Sequence, residues 1–156
     1  MTNMLKQITP IMLILLLGIY AQPFAQQTGQ QQMQQQMQQM QNMMQHINQL
    51  MERTQTMTQE MSRRMEQSKN ETIRNQYQMT HRMGEQLGMV LGNLKNAAER
   101  CNLMLQNREM MQDEEMKQDM ERLRTRLQNM TGQMDEAVMA MERINKRLRA
   151  MESTGS

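Results

Sequence analysis

Residues 113–152 read DEEMKQDMERLRTRLQNMTGQMDEAVMAMERINKRLRAME. Within them Met116, Met120, Leu123, Leu127, Met130, Met134, Ala137, Met141, Ile144, Leu148 and Met151 follow one another at alternating steps of four and three. That alternation is the apolar seam of a heptad, which places one side chain in every turn on the same face of an α-helix. Charge agrees with the period: Asp113, Glu114 and Glu115 open the stretch and Arg143, Lys146, Arg147 and Arg149 close it, complementing a helix dipole. Ser153-Thr154-Gly155 supplies the stop. The stretch is expected to be a helix over about 113–152.

Working outward, two further segments carry the same kind of pattern. Residues 70–108 hold a seam of Ile73, Tyr77, Thr80, Gly84, Leu87, Leu91, Leu94, Ala98, Cys101 and Leu105. Beside it runs a second stripe of Met83, Leu87, Val90, Leu94, Ala97, Cys101 and Met104. Two adjoining stripes make a wide apolar face, expected to be buried between two neighbours. Ser68-Lys69-Asn70-Glu71 reads as a capping box at the start of this helix. Gly84, Gly88 and Gly92 recur every four residues; each costs about 1 kcal/mol against Ala in a helix, so the row predicts close backbone approach.

Residues 7–51 contain no Asp, Glu, Lys or Arg, and residues 26–49 are almost entirely Gln and Met. Such a tract signals disorder when its order is random. Here Met33, Met37, Met40, Met44, Ile47 and Met51 step by four and three, so a helix over about 30–66 is expected. The composition supports an all-α chain: 25 Met, two Tyr, one Phe, no Trp and one Cys leave neither an aromatic and β-branched core nor a disulfide framework.

The joints at residues 67–71 and 106–113 lack both Gly and Pro. Two architectures therefore compete. One is an antiparallel three-helix hairpin bundle, each helix roughly 55 Å long; the other is a single long coiled-coil rod of about 180 Å that pairs along its seam. Three comparable lengths and the apparent cap favour the bundle, and a homo-oligomer through helix seams is compatible with either.

Residues 1–25 read as a secretory signal. Lys6 supplies the positive start, residues 11–20 an uncharged run, and Ala21 or Ala25 a small residue for cleavage. The run is about half of the ~20 residues a membrane-crossing helix needs, so no membrane span is expected once the signal is removed. The expected domain organisation is a signal over 1–25 and one Met- and Gln-rich helical domain over 26–156, in the periplasm or secreted. The formal net charge of +2 gives no reason to expect nucleic acid as a partner.

No phosphate-binding loop, nucleophile elbow or two-His metal helix appears, so catalysis is not expected. Cys101 lies among Ala97, Ala98, Met104 and Leu105, which reads as a buried thiol. Met is the anomaly. Most Met residues fall on seams, where they pack; a Met-rich face also adapts to many protein partners, as a chaperone-like binder requires. Thioethers are in addition soft ligands for Cu(I) and Ag(I). The candidate ligands for such an ion are Met40, Met43 and Met44 with His46, and the ladder Met57, Met61 and Met65. Met79, His81 and Met83 step by two, which scatters the trio around a helix. Reversible oxidation of Met, as an oxidant scavenger, is the remaining expectation. In compartment, helix content and Met richness the chain is similar to bacterial periplasmic stress and metal-response helical proteins. It lacks the repeated Leu-Thr-x-x-Gln signature of the best-known group, so no functional residue is transferred from them.

Overall fold

The computed structural model describes residues 22–154; most of the expected export segment lies outside them. Contacts divide the chain into two units, Met1–Gln36 and Met37–Ser156. In the first, residues 22–36 are helical. The second is an all-α bundle of three long helices.

The helices are α1 (Gln22–Gln67), α2 (Glu71–Gln106) and α3 (Glu114–Thr154), with a 3-10 turn at Met110–Gln112. Polar contacts fix their directions. Arg53, Glu60 and Arg64 of α1 meet Asp135 and Glu142, then Arg149, then Glu152 of α3, so the numbers rise together and the two helices run parallel. Tyr77 of α2 meets Glu152, and Gly84 approaches Met141, so α2 runs the other way. The result is an up-down-up hairpin bundle, which excludes the continuous rod.

Asx side chains make the joints that lack Gly and Pro. Asn70 caps α2, its Oδ1 accepting from Ile73 N at 3.2 Å, whereas Ser68 Oγ donates to Asn70 O at 3.3 Å. The expected capping box centred on Ser68 is therefore replaced by a cap two residues later. Asn107 leaves the helical region at ψ 104° and its Oδ1 accepts from Glu109 N and Met110 N. Asp113 does the same at ψ 124° for Glu115 N and Met116 N. Each cap satisfies free N–H groups at the start of the next turn, which stabilises the break.

Burial confirms the seam of α2: Ile73, Tyr77, Thr80, Gly84, Leu91, Leu94, Ala98, Cys101 and Leu105 are all buried, and Leu87 is half-buried. On α1 the buried line is Met40, Met43, Ile47, Leu50, Thr54, Met57 and Met61, so Met43 and Leu50 replace the expected Met44 and Met51. The larger correction is on α3. Met120, Leu127, Met141 and Leu148 face inward as expected, but their alternates lie one residue later than the apolar pattern suggests: Thr131, Val138 and Asn145 are buried, while Leu123, Met130, Ile144 and Met151 are exposed. Polar partners make this register tolerable. Thr131 Oγ1 donates to Leu127 O at 2.9 Å, Asn145 Nδ2 to Glu60 Oε2 at 3.4 Å, and Glu152 accepts from Arg64 and Tyr77.

Of the glycine row, only Gly84 is a close approach, since a Cβ there would lie 2.5 Å from Thr58 Oγ1; Gly88 and Gly92 face open space.

Candidate binding face

Among the described residues, grooves between each pair of helices differ in chemistry. Between α1 and α3 lies a space of about 610 Å³ lined by Gln49, Glu52, Arg53, Glu60, Glu142 and Arg149 among others. Ion pairs cross it. Arg53 grips Glu142 with two bonds of 3.0 and 2.9 Å and reaches Asp135 at 3.1 Å, which raises its pKa; Arg64 joins Glu60 and Glu152, each at 3.1 Å. Between α1 and α2, Thr54, Thr58, Gly84 and Gly88 line a smaller space of about 240 Å³.

The third groove, of about 370 Å³, lies between α2 and α3 and is lined by Gln76, Met79, Thr80, Met83, Ile144, Arg147, Leu148 and Met151. Four of these are large apolar side chains left in contact with solvent: Met79 is 60% exposed, Met83 50%, Ile144 39% and Met151 49%. The same heptad register continues the stripe along α2 through Val90, Ala97 and Met104 and along α3 through Ala137, Met130 and Leu123. Val90, Met130 and Leu123 are also exposed. The wide face of α2, expected to be covered on both sides, is thus covered on its α1 side and open on this one. An exposed patch of contiguous apolar groups marks an interaction site more often than does a scatter of single residues.

Arginines edge this face. By helical register Arg82 and Arg100 of α2 and Arg126, Arg143 and Arg147 of α3 stand beside the stripe. All five are exposed, and among the described residues none has an ion-pair partner. Of the carboxylates of these helices, Glu85 lines the α1/α2 groove and Asp135 and Glu142 are held by Arg53, while exposed Glu136 shares the register of Arg143, leaving the edge of the stripe predominantly basic.

The residues expected to hold a soft metal are distributed differently. Met57 and Met61 belong to a core cluster with Ile73, Tyr77, Met141 and Leu148, and Met65 packs against it. Met40 and Met43 are buried on the α1 seam, and Met44 is half-buried. His46 stands with Nε2 3.6 Å from Asp135 Oδ2. His81 lies with Nδ1 3.6 Å from Glu85 Oε2, away from the groove that Met79 and Met83 share. The signal for this groove was present in sequence as the four-residue step from Met79 to Met83 and as the very residues, Ile144 and Met151, that read as core. Cys101 is buried and its pKa is raised by desolvation. Among the described residues no group of three or more His, Cys, Asp or Glu is placed to hold a metal ion, and no helix is long and apolar enough to cross a membrane. Comparison of the chain with family models, with characterised proteins and with solved structures gives no match.

Proposed function

We propose that this is an exported helical interaction protein of the cell envelope that binds acidic amphipathic helices of partner or client proteins along the α2/α3 face. The observation that carries the reading is the open apolar stripe edged by arginines without ion-pair partners. An amphipathic helix lays its apolar face into such a groove through anchors one turn apart. Met suits the task because its unbranched thioether adapts to different partner shapes. Charge selects the occupant: carboxylates flanking the partner's apolar face would meet the arginines, whereas a second copy docking by this same face would bring like charges together. Export rests on the pattern of residues 1–25, and binding rather than catalysis on the sequence, which carries no phosphate-binding loop, nucleophile elbow or two-His metal helix.

The test uses two fluorescent amphipathic peptides with the same leucine face, one flanked by Glu and one by Lys. The acidic peptide is expected to bind, to weaken as salt rises, and to lose at least tenfold in affinity on Met83→Glu with Ile144→Glu. Equal binding of both peptides, or none, overturns the reading. So does a concentration-dependent dimer that the same pair of substitutions dissolves, because the face would then serve self-association. In the chaperone-like form of the proposal, the wild-type protein suppresses aggregation of an unfolding client with exposed acidic helices, and a large molar excess without effect counts against it.

A further inference from the structure

From the same groove we infer a second capability that depends on sulfur rather than on apolar area: Met79, Met83 and Met151 form a thioether site for a soft monovalent cation, Cu(I) or Ag(I). All three line one groove and are about half exposed or more. Met79 and Met83 are four residues apart on α2, so their side chains emerge one above the other, and Met151 enters from α3. Three rotatable bonds in each side chain let the sulfurs converge without moving a helix.

The donor set decides which ion fits. The groove contributes no thiolate, imidazole or carboxylate, and its remaining lining is Gln76, Thr80, Ile144, Arg147 and Leu148. A hard divalent cation gains little there, while thioethers favour soft Cu(I) and its heavier analogue Ag(I). Because a thioether carries no proton, binding needs no deprotonation and holds across the pH range of an envelope compartment. Accessibility separates this trio from the buried Met residues of α1: Met40, Met43, Met57 and Met61 are at most 8% exposed, so an ion could reach them only if the bundle opened. Arg147 opposes the bound charge, and its exposed guanidinium sets a modest electrostatic penalty.

The experiment is a titration of the purified protein with Ag(I), and with Cu(I) against a chromophoric chelator, in a Cys101→Ala background. That substitution removes the one thiol, and circular dichroism verifies the fold. One ion per chain is expected to bind at micromolar concentration or below, with the methyl resonances of Met79, Met83 and Met151 shifting in methionine-labelled protein. Replacing these three by Leu should weaken binding at least tenfold, and Arg147→Gln should strengthen it a few-fold. No binding at micromolar metal overturns the inference. So does binding that survives the three Leu substitutions, or that is lost instead when Met40, Met43, Met44 and His46 are replaced. Leu preserves apolar area, so the triple variant should still bind the acidic peptide. Metal binding and helix docking can therefore fail separately.

Discussion

Gly84 and Gly88 lie one turn apart on α2 and carry opposite expectations. At Gly84 a methyl group would strike Thr58 Oγ1, itself fixed by a 2.7 Å hydrogen bond to Thr54 O. Neither atom is the free end of a long side chain, so Gly84→Ala should destabilise the bundle by about 1–3 kcal/mol through overpacking. At Gly88 nothing lies within 4 Å, and Gly88→Ala should stabilise by roughly 0.5–1 kcal/mol because Ala restricts the unfolded chain and favours helix. Urea unfolding of the two variants settles both signs, and a shared sign would show that the helix contact is misplaced. Sequence spacing made the glycine row visible but could not tell its members apart, because that depends on what stands across the interface. Thr54 is a similar case: a fully buried hydroxyl on the α1 seam with no hydrogen-bond partner among the described residues. Thr54→Val keeps the shape and removes the orphan group, so a gain of about 1 kcal/mol is expected in the same assay.

At the scale of elements, the two joints decide between hairpin and rod, and here the sequence was least legible. Helix breaks are usually sought at Gly and Pro, and neither occurs; the breaks are made by Asn70, Asn107 and Asp113 accepting from the backbone N–H groups that follow. Asn and Asp also occur inside helices, so their capping role depends on a tertiary fold that rewards turning back. Replacing Asn107 and Asp113 together by Ala should cost roughly 1–3 kcal/mol in hairpin stability, at about 1 kcal/mol per cap. It should also favour the continuous α2–α3 helix, seen in light scattering as an elongated exchanged dimer. A compact monomer of unchanged stability would refute this role for the caps. The seams show the same limit. On α2 the line from Ile73 to Leu105 is buried while its second stripe is exposed at Met83 and Val90, and on α3 the alternates of Met120, Leu127, Met141 and Leu148 are apolar on one side and, apart from Val138, polar on the other. Apolarity alone selects Leu123, Met130, Ile144 and Met151. The fold instead buries Thr131, whose hydroxyl bonds back to Leu127 O within α3, Val138, and Asn145, whose Nδ2 reaches Glu60 of α1, and so leaves the apolar set to form the candidate face.

For the whole molecule, Tyr77 and Cys101 tie stability to alkaline pH. Tyr77 is fully buried on α2, and its hydroxyl donates to Glu152 of α3 at 3.2 Å, the carboxylate that also receives Arg64 of α1 at 3.1 Å. One phenol thus completes a clasp across all three helices. Burial, then the neighbouring Glu152 charge, raises its pKa, and burial raises that of the Cys101 thiol. A group with a raised folded pKa favours the native state while both states hold the proton. That contribution is lost as pH climbs past the unfolded value, because the unfolded chain then gives up protons that the folded chain keeps. Ordinary thiols ionise near 8.5 and phenols near 10, so the unfolding free energy should be flat in these two groups at neutral pH and fall from about pH 8.5 upward. Cys101→Ala should remove the earlier part of the decline and Tyr77→Phe the later part. Tyr77→Phe also forfeits the bond to Glu152, at about 1 kcal/mol near pH 7, while Arg64 keeps the carboxylate paired. Urea unfolding from pH 7 to 10.5 measures all three effects. If the double variant declined as steeply as the wild-type chain, the alkaline sensitivity would have to originate outside the clasp and the thiol.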